Sequence, residues 1–529
     1  LFGVALVLSA AACRPAAPAR PPGQEAPAEA PAAAAGPSVA EILAASDLPP
    51  THGPLPDDPL AVSVHRLKNG LTVYISTDRQ KPRVSGWIAV RAGSRSDPAN
   101  STGLAHYLEH MLFKGTDELG TLDHAAETPH LQRIEQLYRD LRATTDPEAR
   151  RRIIAEIDAE NQKVAATAIP NEFDRLYAEL GIVDVNAFTS FDQTVYVADI
   201  PSNRIDTWAL VEGERFADPV FRLFFTEIEA VYEEKNLSLD NPNRRIFQAT
   251  TRNLFPRHPY GTQTTIGEIE HLKVPAFQDM VEYFHRWYAP NNMAVLLAGD
   301  VDAETALPAL EQGLGRLAPR PLPALEPGSL QPIEGRVQTD IVAEGEQEVV
   351  LAWQTVPDGH DDEPALTVMD WLMDNSTSGL LNVELELSQK VPDAGAASVF
   401  LREAGWFQVR AQLREGQTHA EVEALLLGVV DKLRRGEFTA EDVAAIILNQ
   451  DIADKRARES NDFRVGKMAD AFINRRAWAD VVARDRKLRT ITRDDVVRVA
   501  QKYLGSNYSA VYRKAGKPEV AKIDKPTLT

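Results

Sequence analysis

Two histidines and a glutamate fall within five residues in His106-Tyr-Leu-Glu109-His110. On a helix, His106 and His110 at i and i+4 lie one above the other on the same face. Two imidazoles so placed can bind one zinc ion at about 2.0–2.1 Å. Glu109 shares that face and can take a proton from an attacking water, then pass it to a leaving amine. Apolar Leu104, Leu108, Met111 and Leu112 surround the trio. Burying three polar groups without a shared partner is costly, so that setting favours a metal.

A catalytic zinc site takes three protein ligands and keeps one position open. The third candidate lies in the acidic run Thr226-Glu-Ile-Glu-Ala-Val-Tyr-Glu-Glu-Lys235. Glu227 and Glu234 are seven positions apart, two helical turns, and project from the same side. From the residues alone, the third ligand is one of Glu227, Glu233 and Glu234. Among other histidines, His258 in His258-Pro-Tyr-Gly261 reads as structural, and His124 and His130 as surface residues.

These residues need a scaffold to hold them. Val62 to Ile75 alternates apolar and polar around Asn69-Gly70, a hairpin signal, and Val84 to Arg91 reads as a further strand. Gly103 to Phe113 has helical periodicity instead. Leu131, Ile134, Leu137, Tyr138 and Leu141, then Ile153, Ile154 and Ile157, recur at three and four positions on either side of Asp146-Pro147. That pattern predicts a helical hairpin inserted over about 122–180. Asp184 to Ile200 is strand-like, while Asn203–Phe216 and Thr226–Leu239 are helical. Prolines 319, 321, 323, 327 and 332 mark a linker over 319–335. Beyond it come a strand at Val349–Trp353 and helices at Glu363–Met373, Glu421–Arg434 and Ala440–Arg456.

The two halves share a weak repeat. Asp279, Val281, Phe284, Tyr288 and Asn292 recur 215 positions later as Asp494, Val496, Val499, Tyr503 and Asn507. In both places an amphipathic helix ends at Tyr, turns through Asn and enters an apolar strand, as duplication would leave it. The fold class is therefore α+β: two homologous domains, 56–318 and 336–515, each an antiparallel sheet packed with helices. Residues 516–529 form a tail.

The bulk properties narrow the function. A chain of 529 residues is too long for one core. A net charge of −20 excludes nucleic acid as a partner, since phosphates demand a basic face. The one cysteine, Cys13, leaves no disulfide framework and no Cys-ligated zinc. The apolar run Leu1–Leu8 followed by Ser9-Ala-Ala-Ala-Cys13 reads as a signal segment over 1–13, with a lipobox-like cysteine as the sole membrane attachment. Its start reads as cut, with no Met or basic stretch before the apolar run. Residues 14–55, rich in Ala and Pro, read as a flexible tether. The expected location is the bacterial cell envelope, exported to the periplasm.

The stretch Gly103-Leu-Ala-His-Tyr-Leu-Glu-His-Met-Leu-Phe-Lys-Gly-Thr116 resembles the M16 metallopeptidases of pitrilysin, insulin-degrading enzyme and mitochondrial processing peptidase type, whose inverted H-x-x-E-H motif it carries. So do Val185-Asn-Ala-Phe-Thr-Ser-Phe-Asp-Gln-Thr-Val-Tyr196, Glu227–Glu234 and Trp287-Tyr-Ala-Pro-Asn-Asn-Met293. The similarity spans about 60–515 and is looser in the second half. It implies a LuxS/MPP-like metallohydrolase architecture and a zinc endopeptidase acting on peptides or unfolded segments. It also implies one zinc held by His106, His110 and Glu234, with Glu109 as general base and Glu227 orienting a ligand histidine. Asn186, Ala187 and Phe188 would then lie on an edge strand that takes substrate by strand addition. The alternative implied by the same family is a non-catalytic peptide-binding or scaffold subunit.

Two departures from that pattern stand out. His110 and Glu234 are 124 positions apart, longer than the family's usual spacing, and the helical hairpin supplies the excess. The segment Ser378–Gly395 lacks the Arg and Tyr, seven residues apart, that family members place over the zinc. The family's chamber also needs two such two-domain halves. The expected source of the second is another copy, a different subunit, or a continuation of this chain.

Overall fold

The alternation on either side of Asn69-Gly70 closes a hairpin in the computed structural model, which describes residues 36–272, 277–375 and 378–518. Strand β1 (Ser63–Arg66) pairs with β2 (Thr72–Thr77) in the register Ser63↔Ile75. Gly70 sits at the turn with φ of 90°, a conformation that a side chain disfavours. Residues 39–518 belong to one unit, Val39–Thr529, and of the other, Leu1–Ser38, only 36–38 are described. The signal segment, Cys13 and the tail beyond 518 lie outside the described residues.

Order begins earlier than the composition suggests. Val39–Ala44 is helical, His52 pairs with Val64 as an isolated bridge, and the Arg91 guanidinium donates to the Asp47 carbonyl at 2.7 Å. The expected tether at 14–55 thus overlaps the folded body from residue 39. Ile42, Leu43 and Leu48 are half-buried in a stretch otherwise lacking periodicity.

The first sheet continues with β3 (Arg83–Val90), β4 (Val183–Thr189), β5 (Thr194–Pro201) and β6 (Met293–Gly299), ordered β1-β2-β6-β3-β5-β4. The second holds β7 (Arg336–Ala343), β8 (Glu348–Thr355), β9 (Ala394–Phe400), β10 (Gly405–Gln412) and β11 (Tyr508–Ala515), ordered β7-β11-β8-β10-β9. Without β1 the two orders are the same: first, last, second, fourth, third. Each sheet is antiparallel but for one pair, β2–β6 and β7–β11, which joins its first strand to its last. The helix before each last strand, Phe277–Trp287 or Arg493–Tyr503, completes the repeat. Between Arg316 and Arg336 there is neither helix nor strand.

Each sheet also borrows a helix from the other half. Helix Asn461–Ile473 lays Val465, Met468 and Phe472 on the first sheet against Tyr74, Ala89 and Leu296. Helix Pro242–Leu254 sets Ile246 on the second sheet against Ile341, Val350 and Val511. All of these except Ile246 and Ile341 are under 4% exposed, and those two reach 8%. Deleting one such side chain, as in Phe472→Ala, costs about 3–5 kcal/mol and would loosen both halves at once.

The hairpin predicted over 122–180 consists of helices His124–Ala143 and Pro147–Ala165, followed by Glu172–Leu180. Asp123 and Asp146 cap the first two through their carboxylates, and Pro147 fits the first turn, where its missing N–H costs nothing. Tyr138 stacks on Phe277 at 5.4 Å and meets Phe224 edge-on at 5.2 Å. The hairpin is therefore docked on the body. His124 and His130 are half-buried on it, paired with Glu127 at 2.9 Å and Glu160 at 2.6 Å.

Candidate metal centre

The helix bearing the motif, Leu104–Met111, starts at Gly103 with φ of 86°. A Cβ there would fall 2.8 Å from the Gly267 Cα, so this close crossing needs glycine. The buried Asp97 carboxylate accepts from the N–H groups of Gly103 at 2.7 Å and Ala105 at 2.9 Å, closing the helix start. Burial holds its pKa well above the usual carboxylate value against those bonds.

His106 and His110 turn towards one point, with ring centroids 4.8 Å apart. The helix Phe224–Asp240 brings Glu234 to them. Its Oε2 lies 3.4 Å from His106 Nε2 and 3.6 Å from His110 Nε2. Among the described residues these three form the group that could hold a metal, their donor atoms all within 4.8 Å. Ligands at about 2.0–2.1 Å around tetrahedral zinc stand about 3.4 Å from each other, which is close to the distance from the Glu234 oxygen to each imidazole nitrogen.

The other acids of the run go elsewhere. Glu227 Oε1 meets His110 Nδ1 at 3.0 Å, which fixes the ring and leaves Nε2 aimed at the centre. Its second oxygen faces the Lys114 ammonium. Glu233 is exposed and outside the group. Burial opposes charge on His110, yet Glu227 and Glu234 outweigh it and raise the pKa to about 9. On His106, burial prevails and lowers it to about 4. His106 Nδ1 is buried with no hydrogen-bond partner, so its ring lacks the support His110 has.

Glu109 is 7% exposed, and burial raises its pKa. Its carboxylate accepts the Thr189 hydroxyl, which ties it to the end of β4. β4 is the terminal strand of its sheet, pairing only with β5 among the described strands. Asn186, Ala187 and Phe188 on it line an open cleft of about 350 Å³ together with His106, Glu109, His110 and Glu234. The Ala187 N–H bonds to the Asn186 side chain at 2.9 Å rather than to β5. Phe188 is 40% exposed and meets Trp87 edge-on at 5.9 Å.

Sequence reasoning missed Thr189, Asp97 and Arg244. Arg244 lines the same cleft from the first turn of helix Pro242–Leu254. Only the Asn241-Pro242 helix start signalled where Arg244 would fall. His258 is fully buried, its Nε2 2.9 Å from Glu403 and its Nδ1 accepting from the Tyr260 N–H, which makes it a structural joint. In the 378–395 segment, Asn382–Glu386 forms a π turn without Arg or Tyr.

Known proteins resemble this chain in sequence and in fold. The family model Insulinase (Peptidase family M16) matches residues 72–149, and Peptidase M16 inactive domain matches 276–449. Zinc protease PqqE of Helicobacter pylori is 23% identical over 84% of this chain and 90% of its own. Probable zinc protease PqqL of Escherichia coli is 26% identical over 50% of this chain but only 24% of its own, so the chain spans about a quarter of that relative. In fold, a protease structure from Helicobacter pylori superposes with a TM-score of 0.72 at 21% identity, over 86% of this chain and 99% of that one. The first half of periplasmic PqqL from Escherichia coli gives 0.65 at 18% identity, over 87% and 92%. The motif helix, the two-sheet duplication and both family models together support an M16-type, zinc-metallopeptidase-like protein.

Proposed function

We propose that this chain is a zinc-dependent endopeptidase acting on peptides or unfolded segments of polypeptide. The observation that carries the reading is the convergence of His106, His110 and Glu234 beside a buried Glu109. Zinc, when bound, supplies a Lewis acid that polarises a carbonyl and lets water ionise near neutral pH. His106, His110 and Glu234 hold it, and Glu227 fixes the His110 tautomer through Nδ1. Glu109 takes the proton of the attacking water and delivers it to the leaving amine. Its raised pKa suits a group that must accept and release a proton in one cycle. The β4 edge, through Ala187 and its neighbours, holds an extended substrate by strand addition beside the cleft.

A second reading, a non-catalytic scaffold or peptide-binding subunit, draws on the match to the inactive-domain model and on the missing Arg/Tyr pair in 378–395. The intact donor set and base favour the enzyme. The two-part build of PqqL supports a second M16 half as partner, from another copy, another subunit or a continuation of this chain. A relative described as periplasmic and the expected signal segment support export to the cell envelope. Lipid on Cys13 would be the anchor, and among the described residues no helix is long and apolar enough to cross a membrane.

Zinc-loaded wild type and Glu109→Gln, compared on quenched fluorescent peptides, test the reading. Hydrolysis should fall by about a thousandfold in the variant while zinc binding is kept. Equal rates in the two proteins would overturn the role of Glu109. Zinc bound at one per chain without hydrolysis by either would favour the scaffold reading.

A further inference from the structure

The contacts of one buried charge pair give the inserted hairpin a role. We propose that Arg222 is a positioning residue for the metal centre and that the hairpin serves that centre through Glu127. The proposal rests on the metal reading above and adds residues that touch neither metal nor substrate.

Arg222 is 1% exposed, and its guanidinium is saturated. Nε donates to both Glu127 oxygens at 2.9 Å. Nη1 reaches the carbonyls of Leu119 at 3.2 Å and Lys114 at 3.5 Å. Nη2 serves the Thr116 carbonyl and Glu127 again. The loop after the motif helix is thus wrapped around this one side chain. Gly115 and Gly120 make the wrapping possible, with φ of 105° and 83°. A Cβ on Gly115 would stand 2.9 Å from Arg222 Nη1.

Three elements meet at the pair. The loop 114–120 leaves the helix of His106 and His110, and Lys114 in it reaches Glu227. Glu127 lies in the first turn of the inserted helix His124–Ala143. Arg222 itself stands two residues before the helix that carries Glu227 and Glu234. Between them Leu223 adopts φ of 55°, left-handed and costly for leucine. Such a residue persists only where its surroundings over-determine it, and the saturated guanidinium next to it does so. The pair thus braces the start of the Glu234 helix against the loop that leaves the histidine helix, alongside the Tyr107 hydroxyl's bond to the Phe224 carbonyl and the Glu227–His110 bond.

A buried ion pair is often replaceable by apolar residues at no loss of stability. The double variant Arg222→Met/Glu127→Leu removes both charges and leaves neither unpaired. In the full chain its metal-free unfolding temperature should fall, because the Lys114, Thr116 and Leu119 carbonyls lose their donor, while zinc affinity, measured by chelator competition well below that transition, should fall about tenfold. Adding Lys114→Met should cost little more, because both changes release the same Glu227 contact. Glu423→Gln, which disturbs a comparable cluster with Arg336, Tyr508 and Tyr512 in the second half, should leave zinc affinity alone. Zinc affinity of the double variant within twofold of wild type would overturn the proposal. Should the double variant not fold, Glu127→Gln takes its place, with about a threefold loss expected and no loss overturning it. A wild type that takes no zinc sinks the metal reading instead. Amide exchange of the metal-free proteins then decides: faster exchange confined to 107–120 and 224–234 supports the brace, and unchanged exchange rejects it.

Discussion

The two sheets end alike, in terminal strands β4 and β9, yet their edges are treated in opposite ways. At β9 the N–H groups of Ala396 and Ser398 are taken by Asp374 at 3.1 Å and Asp370 at 2.9 Å. Both acids come from helix Glu363–Met373 and its exit, which follow β8. The helix that follows β3 in the first half spends its polar residues differently. There His106, Glu109 and His110 face an open cleft, and at β4 the Ala187 N–H has only the exposed Asn186 side chain. One scaffold therefore uses carboxylates on a helix to close a strand edge, and its duplicate turns Glu109 and two histidines toward a cleft beside an edge left open. An unpaired edge is a liability that proteins usually cover, so an uncovered one beside His106, His110 and Glu234 fits the proposed binding of substrate there.

The largest effect expected from this contrast is on metal binding. Glu234→Ala leaves two imidazoles, which make an incomplete catalytic site, and zinc affinity should drop by more than about a hundredfold. Asp370→Ala, at the matching edge of the other half, should leave zinc affinity unchanged and reduce stability by about 1–3 kcal/mol through the abandoned Ser398 N–H. Calorimetric titration with zinc and thermal unfolding separate the two. Zinc loss from the Asp370 variant would show that the halves do not divide their labour.

Proline substitution at the two edges should have the next largest effect. Ala187→Pro removes an N–H facing away from β5, so kcat/KM for a peptide bound by strand addition should fall about tenfold with stability nearly kept. Ala396→Pro removes the donor that Asp374 uses and should instead cost about 1–3 kcal/mol of stability, leaving kcat/KM little changed. Steady-state kinetics and unfolding on the same preparations show whether the losses fall as assigned. Equal kinetic losses at both edges would mean that substrate does not distinguish them.

The sequence held one side of this contrast better than the other. The motif helix is legible because two histidines at i and i+4 among Leu104, Leu108 and Met111 satisfy both periodicity and chemistry. The hairpins, the docked insertion and the repeated helix–strand ending are legible for the same reason, since period and punctuation are local. The choice among Glu227, Glu233 and Glu234 is not. Two helical turns put Glu227 and Glu234 on one side, and only the arrival of His110 Nδ1 at Glu227 and Nε2 at Glu234 tells them apart. The parallel pairs β2–β6 and β7–β11 join strands over 200 residues and over 150 residues apart, beyond any local signal. Thr189, Arg222 and Arg244 carry no motif, because their roles come from what folds against them. The start of order near residue 39 was masked by the surrounding alanine and proline.

The smallest effect sharpens the closed edge itself. Burial, with help from Asp374, raises Asp370 to about 6, although the Ser398 N–H pulls the other way. In an unfolded chain an aspartate titrates near 3.9. Between those values the folded state keeps a proton that the unfolded state has lost, so stability from this group falls as pH rises through the window and is flat beyond it. Asp370→Asn keeps an acceptor for Ser398 but does not titrate. The difference in stability between variant and wild type should grow in the variant's favour by about 1–2 kcal/mol from pH 4.5 to 7.5. In a unit this size that is about 1–2 °C in unfolding temperature, measurable as a difference because the other titrating groups cancel. A difference independent of pH would mean that Asp370 closes β9 as a carboxylate throughout. The two edges would then differ only in where their acids point.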